Sequence, residues 1–174
     1  MPRISLSDVK SIGDLITADT FELLFGTVPV AGASKGLTLK CYSVMYPGFS
    51  NMAFDIRLAG HVVRQRGMKE YTRQLQVVFA EDSKTNTMNI LRKWHEFVVG
   101  TDSGNSGGPK SEYAVDAQLN IYNQQGILAD KITFRGVFPF QIPDISMQGD
   151  NSALMLVTAD FSYDNFESDN VPIS

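Results

Sequence analysis

A serine set among glycines, Gly104-Asn-Ser-Gly-Gly-Pro109, is the segment of this chain that most invites a catalytic reading. Such a loop can present Ser106 Oγ as a nucleophile, given a histidine to take its proton and a carboxylate to orient the histidine. His61, Asp82 and Ser106 occur in the order that a serine hydrolase would use. The spacing argues against it. Only 24 residues run from Asp82 to Ser106, and an amphipathic helical pattern fills most of them. The 68 residues after Ser106 are consumed by a hairpin and one more strand, which leaves no substrate pocket. Glycine, serine, asparagine and proline are also what an ordinary loop contains. A serine hydrolase using Ser106 therefore stands as a distant alternative.

Metal and cofactor chemistry fares no better. His61 and His95 are the only histidines and Cys41 the only cysteine, too few soft donors for a zinc site. Asp164-Asn-Phe-Glu-Ser-Asp-Asn170 is rich in oxygen ligands but breaks the calcium-loop spacing, with Phe166 at the third position and no glycine at the sixth. It reads as a solvated acidic end. No phosphate-binding glycine motif is present, so no catalytic residue, metal site or cofactor is assigned. The basic stretch Arg64 to Arg73 reads as a solvated or subunit-contacting arm rather than a phosphate site.

The elements around these residues describe a β protein. At 174 residues the chain is long enough to bury one core, and 1–174 reads as a single domain. A net charge of −4 argues against gripping nucleic acid by its backbone. A lone cysteine excludes an internal disulfide, and Cys41 reads as a small buried apolar residue. The N-terminus shows no signal-peptide pattern, and the longest apolar run, 153–157, is too short for a bilayer. The expectation is a soluble protein without membrane insertion.

Along the chain, 1–18 reads as an N-terminal arm with a short helix from Ser7 to Ile16. Phe21 to Val28 is a strand ended by Pro29 and the small-residue turn Ala31-Gly-Ala-Ser34. Leu37 to Val44 is a second strand. Met52, Phe54, Ile56 and Leu58 alternate with polar residues as a half-buried strand. Gly60 to Lys69 reads as an exposed loop or hairpin arm. Leu75, Val77 and Phe79 share one face of the next strand. A helix from Lys84 to Val99, capped by Ser83, aligns Ile90, Leu91, Trp94, Phe97 and Val98 in one stripe, with Gly100 at its end. A hairpin follows with Asn123-Gln-Gln-Gly126 as its loop, which pairs Ile121 with Leu128, Leu119 with Asp130, Ala117 with Ile132 and Val115 with Phe134. Ala153 to Tyr163 is the last strand, after the turn Gln148 to Asn151, and 168–174 reads as a flexible tail. About seven strands and one helix predict two packed antiparallel sheets, a sandwich closed or nearly closed into a barrel. Its edge strands need covering or use in assembly.

Four blocks give the chain a family likeness: Cys41-Tyr-Ser-Val-Met-Tyr-Pro-Gly48; Gln76-Val-Val-Phe-Ala-Glu-Asp82; Trp94-His-Glu-Phe-Val-Val-Gly100; and the pair Ile132-Thr-Phe-Arg-Gly-Val-Phe-Pro139 and Leu156-Val-Thr-Ala-Asp-Phe-Ser-Tyr-Asp164. In this order the chain resembles the tail tube proteins of contractile-tailed bacteriophages, within the Hcp-like tube-fold superfamily. The likeness runs from about Leu37 to Glu167 and departs at Thr101 to Pro109 and in the N-terminal arm. It implies a two-sheet barrel with one flanking helix, assembled into hexameric rings that stack into a hollow tube in the virion. Implied partners are other copies of the chain, the tail sheath, the baseplate tube-initiator, the tail terminator, and the tape-measure protein and DNA in the lumen. Assembly in the host cytoplasm is implied too. The tube of a type VI secretion or other contractile injection system is the alternative.

Two sets of site residues follow. Arg57, Val62, Val63, Arg64, Arg66 and Lys69 combine charge with apolar anchors, so they are candidates for contacts between subunits and rings. Thr158, Asp160 and Ser162 on the last strand are candidates for the lumen wall. They compete with the hairpin face of Asp116, Gln118, Asn120, Lys131, Thr133 and Arg135, which is mixed in sign.

Overall fold

The computed structural model describes residues 16–48, 50–84, 86–100, 108–145 and 154–169. The expected helix of the N-terminal arm (save Ile16), the Ser106 loop, the turn Gln148 to Asn151 and residues 170–174 lie outside them.

Nine strands are described: β1 (Phe21–Phe25), β2 (Cys41–Val44), β3 (Ser50–Leu58), β4 (His61–Glu70), β5 (Gln74–Ala80), β6 (Val115–Tyr122), β7 (Leu128–Gln141), β8 (Leu156–Ser162) and β9 (Asn165–Asp169). Three helices accompany them: α1 (Ala33–Lys40), α2 (Thr87–Val98) and the single turn α3 (Lys110–Tyr113). The strands form a seven-stranded antiparallel sheet in the order β1-β6-β7-β8-β5-β2, with β9 also on β7, and a separate two-stranded ribbon of β3 and β4.

The large sheet is two layers joined through β7. Its first part pairs with β6 and β9, and its last residues, Phe138 to Gln141, pair with β8. Gly136 sits between the two parts with φ +67°, and a Cβ there would collide with the Asp164 carboxylate. Only glycine supports that bend without strain. Folding at this corner brings Phe25 of β1 to 5.4 Å from Phe161 of β8, ring centre to ring centre. Trp94 of α2 closes the cluster at 6.0 Å from Phe25 and 5.6 Å from Phe161. Leu23, Leu75, Val77, Phe79, Leu119, Ile132, Phe134, Val157 and Ala159 are buried around them. Alternation on β5 and β8 thus does what the sequence predicts.

Several expectations need correcting. The sheet does not close into a barrel: among the described residues β1 pairs only with β6 and β2 only with β5. Among the described residues three helices are present, where one flanking helix was expected. Residues 33–40 are helical because Ala33 and Leu37, one helical turn apart, are both buried, while Leu39 is 75% exposed. An alternating strand would have buried Leu37 and Leu39 together. Gly32, at φ +71°, starts this helix where a turn was expected, and Ser34 Oγ ties it back by donating to Gly26 O at 2.6 Å.

The hairpin keeps its predicted faces but slides by two residues: Ile121 pairs with Asp130, Leu119 with Ile132 and Ala117 with Phe134. The reason is a loop one residue longer, 123–127, together with a bulge between Ile121 and Tyr122, where Tyr122 pairs with Leu128 but Ile121 with Asp130. Asn123 Oδ1 accepts from Gln125 N at 3.0 Å and Ile127 N at 2.9 Å, and the Asn123 N–H donates to Ile127 O at 2.9 Å. A two-residue slip preserves the faces because the side-chain period is two.

Helix α2 begins at Thr87 rather than Lys84. Its cap is Asn86, whose side chain accepts from Asn89 N at 2.9 Å, not Ser83. Glu81 supplies a second cap: Oε1 accepts from Thr87 N at 2.6 Å and Oε2 from Met88 N at 2.9 Å. A carboxylate suits the positive end of the helix dipole. Leu91 and Trp94 are buried as expected, whereas Phe97 is 52% exposed and leaves the core stripe. The acidic end forms β9, with Lys131 3.7 Å from Asp169 directly opposite it and Arg135 reaching diagonally to Glu167 at 3.8 Å. Ser168 and Asp169 are therefore strand rather than loose tail.

Candidate assembly surfaces

The β3–β4 ribbon is an arm standing apart from the sheet. No strand of the large sheet pairs with it, and none of its described residues packs against the core. Directly opposite residues of an antiparallel pair share a face. Phe54, Ile56 and Leu58 therefore lie with Gln65, Val63 and His61 on one side, and Ala53, Asp55 and Arg57 with Arg66, Arg64 and Val62 on the other. The first face is apolar and the second cationic, with one internal ion pair, Arg64 to Asp55 at 3.3 Å.

Both faces are open. Phe54 is 51% exposed and Leu58 62%, with Ile56 half-buried between them, so among the described residues no part of the large sheet covers this strand. Such a contiguous apolar strip on a protruding element marks an interaction surface. Of the sequence-derived contact candidates, Arg57, Val62, Arg64 and Arg66 lie together on the charged face, Val63 lies on the apolar face, and Lys69 pairs with Asn51 through the backbone beyond a bulge. Phe54, Ile56 and Leu58 were missed as site residues. Their alternation was visible, but it was assigned to the subunit's own core.

The face of β8 turned away from the core carries Thr158, Asp160 and Ser162. Across the strand pair lie Val78, Gln76 and Gln74, and Gln76 Nε2 donates to Asp160 Oδ1 at 3.1 Å. This wall has short or neutral side chains and one carboxylate. The rival face on β6 and β7 is more heavily charged and tied together, with Arg135 to Asp116 at 2.6 Å and Tyr122 OH donating to Glu22 Oε2 at 3.1 Å. With Glu22 from β1 and Glu167 and Asp169 from β9 beside it, its carboxylates outnumber its cations. Sign alone no longer separates the two faces.

Where β1 and β2 fail to meet, an open groove of about 690 Å³ remains, lined by Ile16, Phe21, Tyr42, Val44, Leu119 and Ile121 among others. Tyr46 lines it as well, and its hydroxyl donates to Asp130 Oδ2 at 2.8 Å. Burial and then that hydrogen bond to Asp130 raise the Tyr46 phenol above its ordinary range. Nearby, Cys41, expected to be buried, is half-buried against the core, and burial pushes its thiol up to about 12.

Of the residues of the hydrolase reading, Ser106 lies outside the described residues, and His61 and Asp82 are engaged elsewhere. His61 sits at the turn of the arm opposite Leu58, and Asp82 is held by Lys40 at 2.9 Å and by Lys84 N at 2.7 Å. Among the described residues no three His, Cys, Asp or Glu side chains gather to hold a metal, and no helix is long and apolar enough to cross a membrane.

A two-layer β protein with open strand edges and an uncovered amphipathic ribbon belongs to the class of subunits built for assembly. Solved structures share this fold. A tube-terminating cap of the anti-feeding prophage is 10% identical with a TM-score of 0.67, covering 90% of this chain and 92% of that one. A chain of the sheath–tube complex of the PVC extracellular contractile injection system is 12% identical with a TM-score of 0.63, covering 96% and 99%. A chain of the anti-feeding prophage baseplate is 10% identical with a TM-score of 0.64, covering 91% and 98%. At such identities the likeness is one of fold. No curated protein matches the chain in sequence. The phage tail tube protein family matches residues 20–169, and the chain belongs to that family. It is a structural subunit of a tail tube.

Proposed function

We propose that this chain forms hexameric rings that stack into the hollow tube of a contractile tail, through which the genome passes. The observation that carries the reading is the arm, whose apolar face is fully formed yet uncovered in the isolated subunit. Family membership supports the tube, and the six-fold symmetry of the anti-feeding prophage baseplate, whose chain shares this fold, supports a ring of six. Joining sheet edges between neighbours would also cover β1 and β2.

On this reading residues 1–174 act as one tube domain, and the subunit has no catalytic role. Its partners are further copies, the sheath outside, an initiator at the baseplate, a terminator at the far end, and the tape-measure protein and DNA within. It assembles in the host cytoplasm. Arg57, Val62, Val63, Arg64, Arg66 and Lys69 contribute to contacts between subunits and rings. Thr158, Asp160 and Ser162 face the lumen, because they and their cross-strand neighbours Gln74, Gln76 and Val78 include no cation to hold phosphate, whereas the rival face carries Lys131 and Arg135. Six copies at −4 give a ring formally −24, which is consistent with a repelling bore. A tube of another contractile injection machine would use the same fold, and the cargo in the bore distinguishes the two. Negative-stain microscopy of concentrated protein should show rings with six-fold symmetry or hollow tubes. A monodisperse monomer at high concentration and in crowding buffers would overturn the reading.

A further inference from the structure

We infer that Gly67 is a positioning residue for assembly: it makes room for a β-bulge at the root of the β3–β4 arm, and that bulge sets the direction in which the arm's two faces leave the subunit. The inference rests on the tube reading and names what aims the arm. The ribbon is regular on either side of a single break. Ser50 and Asn51 pair with Glu70 and Lys69 at its root, and Ala53 to Leu58 pair with Arg66 to His61 beyond. Between them Met52 alone stands opposite two residues, Gly67 and Met68. An extra residue on one strand of an antiparallel pair bends that strand and increases its twist, so it re-aims whatever lies beyond. What lies beyond here is the apolar strip and the cationic face.

Gly67 is a glycine for room rather than for backbone conformation. Its φ is not positive, unlike those of Ala59 and Gly60 at the tip, at +48° and +81°. A Cβ at position 67 would stand 2.9 Å from the Met52 carbonyl oxygen and 3.2 Å from its carbonyl carbon. Those are backbone atoms of the facing strand, so a side chain at 67 forces the strands apart at the bulge. The bulge does no packing for the subunit. Met68 is 80% exposed and Met52 57%, and neither belongs to the core or packs against it. A bulge breaks the ladder locally, and this one serves no contact of the core in return, so its consequence is the direction of the arm.

Deleting Met68 tests the inference with every other pair kept. Met52 then faces Gly67 alone, and the pairs on both sides of the break stay in register. Spin labels report the aim of the arm in dilute solution: Cys41→Ser removes the native thiol, and Val62→Cys on the arm and Gln124→Cys in the β6–β7 loop carry the labels. The Met68 deletion should change the mean separation of the labels, leave the urea midpoint of the subunit near that of the intact chain, and abolish long tubes in sedimentation and electron microscopy. Met68→Ala, which keeps the bulge, should match the intact chain in all three. Gly67→Val, which crowds the bulge, should change the separation and abolish long tubes as the deletion does. An unchanged separation, normal tubes from either the deletion or Gly67→Val, or a deletion that unfolds the subunit each overturns the inference. Loss of tubes in Met68→Ala overturns it too, because the role would then belong to the methionine side chain. Normal tubes from the deletion leave the tube reading standing, whereas an intact chain that forms neither rings nor tubes sinks both.

Discussion

Strand β8 and strand β3 follow the same alternating rule and end in opposite surroundings. Val157, Ala159 and Phe161 are wholly buried between the two layers, whereas Phe54 and Leu58 are more than half exposed on the arm. In β8 the apolar face is matched by β1, β5 and α2 of the same chain. In β3 no described residue of the same chain packs it into the core. The difference separates residues that make the subunit fold from residues that would make subunits join, and no composition statistic draws that line.

Substitutions should fall on one side of it or the other. Trp94→Ala removes a fully buried ring between Phe25 and Phe161 and orphans the Tyr113 carbonyl that its Nε1 donates to at 2.8 Å. It should cost about 3–5 kcal/mol in urea unfolding of the subunit. Phe54→Ala should cost under about 1 kcal/mol in the same experiment, as a surface change. Equal losses would erase the comparison.

Glu81→Ala tests a middle case, since it strips carboxylate acceptors from Thr87 and Met88 without touching the core. A loss of about 1–2 kcal/mol is expected by thermal or urea unfolding. A loss below about 0.3 kcal/mol would mean that Asn86 caps the helix unaided.

Asp160→Lys should barely register in stability, within about 0.5 kcal/mol, because Asp160 lies outside the core and its Gln76 partner is neutral. Its effect should appear instead in function. Tubes should assemble, and virions carrying the change should eject DNA more slowly, most of all at low salt where screening is weakest. Ejection at the normal rate would remove Asp160 from the lumen wall.

Much of this architecture was legible because burial imposes a period. Strands β5 and β8, the faces of the β6–β7 hairpin and the buried positions Leu91 and Trp94 all follow from spacing. What was misread depended on contacts distant in sequence or on loop chemistry. Leu37, Leu39 and Cys41 alternate like a strand, but the packing of Ala33 and Leu37 makes the segment helical up to Lys40, and only Cys41 onward is strand. The slipped register came from Asn123 closing a loop one residue longer than its glycine advertised, and from a bulge between Ile121 and Tyr122. Strand β9 looked like a solvated acidic end because its partners, Lys131 and Arg135, lie some 30 residues upstream in sequence. At the candidate site, the composition of the arm was readable but the segregation of its faces was not. That segregation needs the pairing of β3 with β4, which leaves Phe54 and Leu58 exposed and Ile56 half-buried, none of them in the subunit's core.

Deleting Gly60 to Gly67 tests the central claim most directly, because it removes most of β4 and leaves every core residue in place. Sedimentation and electron microscopy of this variant beside the intact chain should show a folded subunit, with an unfolding midpoint near that of the intact protein, that forms no long tubes. Long tubes of normal appearance from the deletion would contradict the account.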